Sequence, residues 1–327
     1  MNKILVTGGA GFIGSNLVKT LVQKSNYVIV VDNFSQGRLE NLTSLKNKKN
    51  LKIVKADILD TEKMLKASKG VDVVFHLAVQ CLRVSLQNPL FVERVNASGT
   101  LSMLWSAYKN KVKKFVYCST SEVYGSATYT PMDENHPLKP TTVYGASKLS
   151  GEIYTQCFGQ NFGLKSVIVR PFNTYGYNEH MAGMYGEVIP RFIVRAKNNL
   201  PLIVYGDGNQ ARDFTFVTDT VDGIIKVAAK DSLNGQVVNI ACGEEISINR
   251  IAHIVIKLVG NKVKILHQSV RPHDVRRHFA DISRARKLLR FTPKINIEKG
   301  IKLYLKYLEE NKFDFKKALN DLPERNW

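Results

Sequence analysis

The chain has 327 residues, 44% of them hydrophobic and 23% charged, enough for one large α/β unit or for two lobes sharing a core. No run of about 18 apolar residues occurs, and Cys81, Cys118, Cys157 and Cys242 show no Cys-x-x-Cys spacing; a membrane span, a disulfide framework and a metal site are not expected, and the thiols read as reduced and mostly buried. The net charge of +19, from 47 Lys and Arg against 28 Asp and Glu, is spread over diffuse lysines such as Lys46, Lys48 and Lys49, which reads as solvated surface and not as a nucleic-acid face.

The first residues run straight into an apolar segment without the small-residue cleavage site of a signal peptide, so a cytoplasmic protein is expected. Residues 4–7 form the first predicted strand, and Gly8-Gly-Ala-Gly11-Phe-Ile-Gly14 follows at once, ahead of a helical pattern over residues 15–22. A glycine-rich turn between strand and helix lets the backbone approach a pyrophosphate, with the helix N-terminus supplying free N–H groups. The second strand, residues 27–32, ends in Asp32, a carboxylate suited to both adenosine ribose hydroxyls; it favours NAD over NADP, a preference that nearby Arg38 softens. After a third strand over residues 51–56, Asp57 reaches the adenine or caps the helix from Thr61.

Further strands are predicted over residues 73–77, 115–119 and 166–170, each short, apolar and followed by polar residues. The pattern is that of a Rossmann-type α/β fold, a doubly wound parallel sheet. Between the last two strands stand Tyr144 and Lys148, whose spacing places both on one helix face, where an ammonium lowers a phenol's pKa and makes it a usable base. Beyond Pro171 the regularity breaks. Residues 1–172 are read as a dinucleotide domain and 173–327 mainly as a smaller C-terminal substrate lobe, some of whose segments return to the first domain.

The ordered pieces Thr7-Gly-Gly-Ala-Gly-Phe-Ile-Gly14, Asp32-Asn33, Asp57, His76-Leu-Ala78, Val95-Asn96, Ser119-Thr-Ser-Glu-Val-Tyr-Gly125, Tyr144-x-x-x-Lys148, Arg170-Pro-Phe-Asn-Thr-Tyr-Gly176, Tyr205-Gly-Asp-Gly208, Arg212-Asp213 and Arg271-Pro-His-Asp-Val-Arg-Arg277 together resemble the extended short-chain dehydrogenase/reductase family that modifies nucleotide sugars. The resemblance covers nearly the whole chain. It implies NAD held by Gly8, Gly11, Phe12, Ile13, Gly14, Asp32, Asn33, Asp57, Ile58, Leu77, Ala78, Tyr144 and Lys148. It makes Tyr144 the catalytic base, with Lys148 lowering its pKa and binding the nicotinamide ribose, and Thr120 a partner of the sugar O4; Ser119 and Tyr117 read as support.

Asn173, Arg212, Arg271 and Asp274 fall in segments that hold the substrate diphosphate and base in similar proteins, a UDP-sugar in the first place. Arg83 and Ser85 are further candidates for the sugar or a phosphate. The plain alternative for Arg212 and Asp213 is a surface ion pair. Helices near residues 97–109 and 145–160 are expected, by resemblance, to pair across a two-fold axis in a homodimer.

Oxidation at C4 can lead to several products. Glu122 resembles the residue of 4,6-dehydratases and UDP-glucuronate decarboxylases that acts at C5 and C6, whereas the preceding acid of glucose-type dehydratases is replaced here by Ser121. A 4,6-dehydratase is therefore read first and a UDP-sugar 4-epimerase, favoured by the C-terminal motifs, close behind it. A decarboxylase comes third, with Arg277 its candidate arginine, and a non-catalytic RNA-binding scaffold last.

Overall fold

The computed structural model describes residues 2–181, 183–271 and 275–323. Seven parallel strands form the central sheet: β1 (Lys3–Thr7), β2 (Tyr27–Asp32), β3 (Leu51–Lys55), β4 (Val73–His76), β5 (Lys114–Cys118), β6 (Ser166–Pro171) and β7 (Val237–Ile240), in the spatial order 7-6-5-4-1-2-3. The six strands expected from the sequence are all present. The seventh comes from the C-terminal part and pairs with β6, Val237 opposite Ile168 and Ile240 opposite Pro171.

Burial explains the order. All five residues of β5 are buried, as befits an interior strand covered on both faces, whereas β3 at the edge leaves Lys52, Ile53 and Lys55 exposed. One apolar cluster packs Leu5, Ile29, Val74, Phe115 and Ile168 beneath helix Gly99–Lys109. A larger one joins Val6, Val30, Val116 and Val169 on the opposite face to Phe192, Ile224, Ile251 and Tyr304 of the C-terminal half. This continuous core seats the two halves of the chain directly against each other.

The C-terminal part adds three small sheets. Thr174–Tyr175 pairs with Thr215–Phe216, Leu202–Tyr205 with Ile265–Gln268, and Ala211–Arg212 lies between Ile246–Ser247 and Arg277–His278. Among the described residues no helix is long and apolar enough to cross a membrane. All four cysteines are free, but only Cys118 is fully buried, so burial of the thiols is less complete than expected.

Candidate active site

A cleft of about 840 Å³ runs over the C-terminal ends of β1, β2, β4 and β5 and under the C-terminal segments. Such strand ends are where ligands bind in open parallel sheets. Gly8, Gly11, Phe12, Ile13 and Gly14 form one wall, and Asp32, Asn33, Asp57, Ile58, Leu77 and Ala78 continue it. The turn requires its glycines: Gly8 has φ +66°, and a Cβ on Gly14 would lie 2.0 Å from the Gly8 carbonyl oxygen. Helix α1 (Phe12–Gln23) starts without a side-chain cap and without an acidic residue in its first turn, leaving its amides and positive dipole end to an anion.

The Asp32 carboxylate accepts the amides of Ala10 and Phe34, each at 2.9 Å, while burial raises its pKa. Arg38 is exposed, beyond the residues that line the cleft. Asp57 does not cap the following helix, since Asp60 does; its oxygens take Leu59 N–H at 2.9 Å and the Asn33 amide at 3.0 Å.

Below this wall a buried chain of hydrogen bonds reaches the helix of Tyr144 (Val143–Phe162), which Thr142 caps by accepting from Gly145 N–H. Thr7 accepts the amides of Leu77 and Ala78 at 3.2 Å each, so its hydroxyl proton is left for His76 Nδ1 at 2.7 Å. That assigns the His76 proton to Nε2, which donates to Thr100 at 3.0 Å, and Thr100 donates to the Asn96 carbonyl. Asn96 sits in a π-helical turn, Arg94–Ser98, and its amide donates to Ser147, whose hydroxyl donates to the Tyr144 carbonyl. Burial holds His76 down to about 3, so it stays neutral.

Tyr144 and Lys148 line the cleft together with Thr120, Ser121 and Glu122. Burial lifts the Tyr144 phenol well above its ordinary range, and a hydrogen bond with Thr120 draws it back in part. The Lys148 ammonium donates to the Cys118 carbonyl at 2.7 Å, 4.3 Å above the Tyr117 ring, and burial brings its own pKa down to about 8. Thr120 also accepts Glu122 N–H at 3.2 Å, so local backbone and Tyr144 share its hydroxyl. Glu122 is raised by burial, and Arg212, Glu187 and Arg83 are the charges it feels.

Ser119 donates to Glu152, which forms a buried two-pronged pair with Arg170 at 2.9 and 2.6 Å. A third guanidinium nitrogen reaches Tyr124 at 2.9 Å. Ser119 thus ties the cleft wall to this pair, and the Tyr117 hydroxyl donates to the Lys148 carbonyl.

Arg83, Asn173, Arg212 and Arg271 all line the cleft, whereas Asp274 lies outside the described residues. Arg271 stacks over Tyr205 at 4.8 Å, and Asn173 donates to the Asp213 carbonyl at 3.3 Å. The surface ion pair considered for Arg212 and Asp213 does not form. Asp213 is fully buried, accepts the amides of Cys242 and Gly243 at 2.9 Å each, and is pushed up to about 7 by burial. Ser85 turns away and donates to Leu82 O. Arg277, the arginine considered for a decarboxylase, pairs with Glu245 at 2.8 and 2.6 Å and does not line the cleft.

Several lining residues escape the motifs. Glu179, Tyr185 and Glu187 lie between Tyr175 and helix Val188–Lys197, Tyr185 at the end of a short 3₁₀ turn (Gly183–Tyr185), where no spacing rule applies; Tyr185 hydrogen-bonds Gln36, and Arg83 pairs with Glu187. His278 donates to the Ser121 carbonyl at 3.3 Å and so orients the loop of Glu122; only its place just after Arg277 could have flagged it.

Residues 5–304 match the profile of the GDP-mannose 4,6-dehydratase family. A UDP-N-acetyl-alpha-D-glucosaminuronate decarboxylase from Bacillus cytotoxicus is 35% identical over 94% of this chain and 98% of its own length. The crystal structure of a Thermotoga maritima UDP-glucose 4-epimerase with UDP-glucose superposes with a TM-score of 0.90, at 32% identity over 95% of this chain and 99% of that one. A dTDP-glucose 4,6-dehydratase from Streptomyces venezuelae, crystallised with NAD, gives a TM-score of 0.87 at 28% identity over 95% and 98% of the two chains.

Proposed function

Because the chain belongs to the GDP-mannose 4,6-dehydratase family, we propose that it is an NAD-dependent enzyme that oxidises a nucleotide sugar at C4 and then eliminates water across C5 and C6. The observation that carries the second step is Glu122, a carboxyl raised by burial in the cleft wall, two residues beyond Thr120 and lining the same cleft as Tyr144. The uncapped start of α1 and the tight turn that only glycine allows at Gly8 and Gly14 fit a dinucleotide pyrophosphate, and Asp32 at the end of β2 fits its ribose. Bound there, NAD supplies the acceptor that takes a hydride from the sugar and later returns it.

Tyr144 receives the O4 proton and Thr120 holds O4 by a hydrogen bond. Lys148, on the same helix face, donates to the nicotinamide ribose and brings a positive charge to the phenol once a ligand engages it, which offsets the burial that raises the tyrosine. With C4 a ketone, the C5 proton is acidic; Glu122 takes it and delivers a proton to the departing C6 hydroxyl, so water leaves and a C5=C6 double bond forms, and return of the hydride to C6 with a solvent-derived proton at C5 then gives the 4-keto-6-deoxy sugar. Arg212, Arg271 and Asn173 hold the diphosphate and base, a UDP-sugar in the first instance.

Ser121 favours a second reading, 4-epimerisation: its hydroxyl is no acid for a leaving group, and a 4-epimerase needs none. NMR of turnover in D₂O separates the two. Deuterium at C5 with a 4-keto-6-deoxy product is expected, lost in Glu122→Gln; a C4 epimer without solvent label refutes elimination.

A homodimer accompanies this reading. Leu101 and Trp105 on helix Gly99–Lys109 are 42% and 39% exposed, and Ile153 and Phe162 on the Tyr144 helix 49% and 44%, an apolar face suited to a second copy.

A further inference from the structure

Arg83 and Glu187 are 104 residues apart in the chain and meet fork to fork: Nη1 donates to Oε1, and Nη2 to Oε2 at 2.9 Å. The Arg83 side chain is 11% exposed and that of Glu187 55%. Both line the cleft, and both are among the charges that Glu122 feels. The buried carboxyl of Glu179 lines the same cleft. Glu122, Glu179 and Glu187 thus share the cleft lining with Arg83, whose fork Glu187 already fills, and with Arg212, whose charge also acts on Glu122.

We propose that Glu187, seated on Arg83, selects the substituent at the sugar C6, admitting a nucleotide-linked hexose with a neutral C6 and turning away one with a C6 carboxylate. The placement rests on the C4-oxidising reading above, in which Thr120 and Tyr144 hold O4 and Glu122 faces C5 and C6. An arginine fork is the usual receiver of a carboxylate. Here a uronate has to displace Glu187 from that fork and then lie beside the carboxylate it displaced. A neutral hydroxymethyl group leaves the pair intact and hydrogen-bonds to it. Discrimination through repulsion, not through a new attraction, is an economical way to separate two sugars that differ only at this carbon.

The purified chain with NAD is titrated calorimetrically with UDP-glucose and with UDP-glucuronate, and the same samples are followed by NMR for a 4-keto sugar or a C4 epimer. UDP-glucose is expected to bind at least about tenfold more tightly, the scale a partly exposed like charge supports. In Glu187→Gln, matched to the parent in thermal midpoint, that gap closes by about tenfold, chiefly through tighter UDP-glucuronate. Equal or tighter binding of UDP-glucuronate by the parent chain overturns the proposal, as does an unchanged gap in Glu187→Gln or failure to bind either sugar. A gap that closes as expected with neither a 4-keto sugar nor a C4 epimer supports the selectivity and refutes the C4 chemistry alone; a 4-keto sugar or C4 epimer with an unchanged gap does the reverse.

Discussion

Replacing Glu152 by Gln tests how the reaction centre is braced. Glu152 and Arg170 have side chains 2% and 3% exposed, and the carboxylate holds two guanidinium nitrogens at 2.9 and 2.6 Å and the Ser119 hydroxyl. The pair joins the Tyr144 helix to β6 and, through Tyr124 and the Asn239 side chain, to β7. Glutamine keeps the shape but leaves a buried guanidinium without its counter-charge, a loss of about 3–5 kcal/mol. At about 2 °C per kcal/mol for a chain of this size, the thermal midpoint falls by roughly 6–10 °C. Beside Glu152→Gln, calorimetry of Glu152→Leu, of Arg170→Met and of the double Glu152→Leu, Arg170→Met replacement forms a double-mutant cycle. The double variant recovers most of the loss, because apolar side chains of similar volume replace both charges. A midpoint within about 2 °C of the parent for Glu152→Gln, or a double variant as unstable as the sum of the singles, refutes the reasoning.

Three further outcomes follow from the same geometry. Gly14→Ala places a methyl 2.0 Å from the Gly8 carbonyl, so NAD affinity measured by fluorescence titration falls at least about a hundredfold while the far-UV spectrum is retained; unchanged affinity refutes the turn's role. His76 is held at about 3 against an ordinary 6.5, so the unfolded chain takes up a proton that the folded one refuses; its contribution is full above 6.5 and is lost as pH falls towards 3. Thermal midpoints measured from pH 7 to 4 should accordingly drop less steeply in His76→Asn, and an equal slope counts against a buried neutral imidazole. Ile153→Glu places a charge on the exposed apolar helix face and is expected to yield monomers in light scattering; a dimer of undiminished affinity moves the interface elsewhere.

What was legible in the sequence is what short-range chemistry dictates. The glycine turn, Asp32 and the continuous apolar strands each carry their signal within a few residues, and all stand where expected. Strand β7 did not, because a parallel edge strand is defined by its partner, here 69 residues away for Val237 and Ile168, and four residues of Val-Val-Asn-Ile carry little pattern alone. Side-chain partnerships were equally silent. Nothing near Arg83 announces Glu187, and nothing near Asp213 announces that three backbone amides would draw it inward. The expectation that Lys148 depresses Tyr144 came from spacing alone, and spacing does not say that the ammonium donates to the Cys118 carbonyl.

The late strand β7 also orders events during synthesis. Until residue 240 has emerged, β6 offers a bare row of N–H and C=O groups along its outer side, and Asn239, which accepts from Tyr124 and donates to the Met132 carbonyl, is missing from the buried lattice. A ribosome-bound chain of some 200 residues therefore holds a complete glycine turn beside an unfinished sheet. Its first half waits, with an adhesive edge, for a piece of the second. Cutting the chain near residue 172 to obtain a small cofactor-binding fragment would make that waiting state permanent, and aggregation is its expected fate.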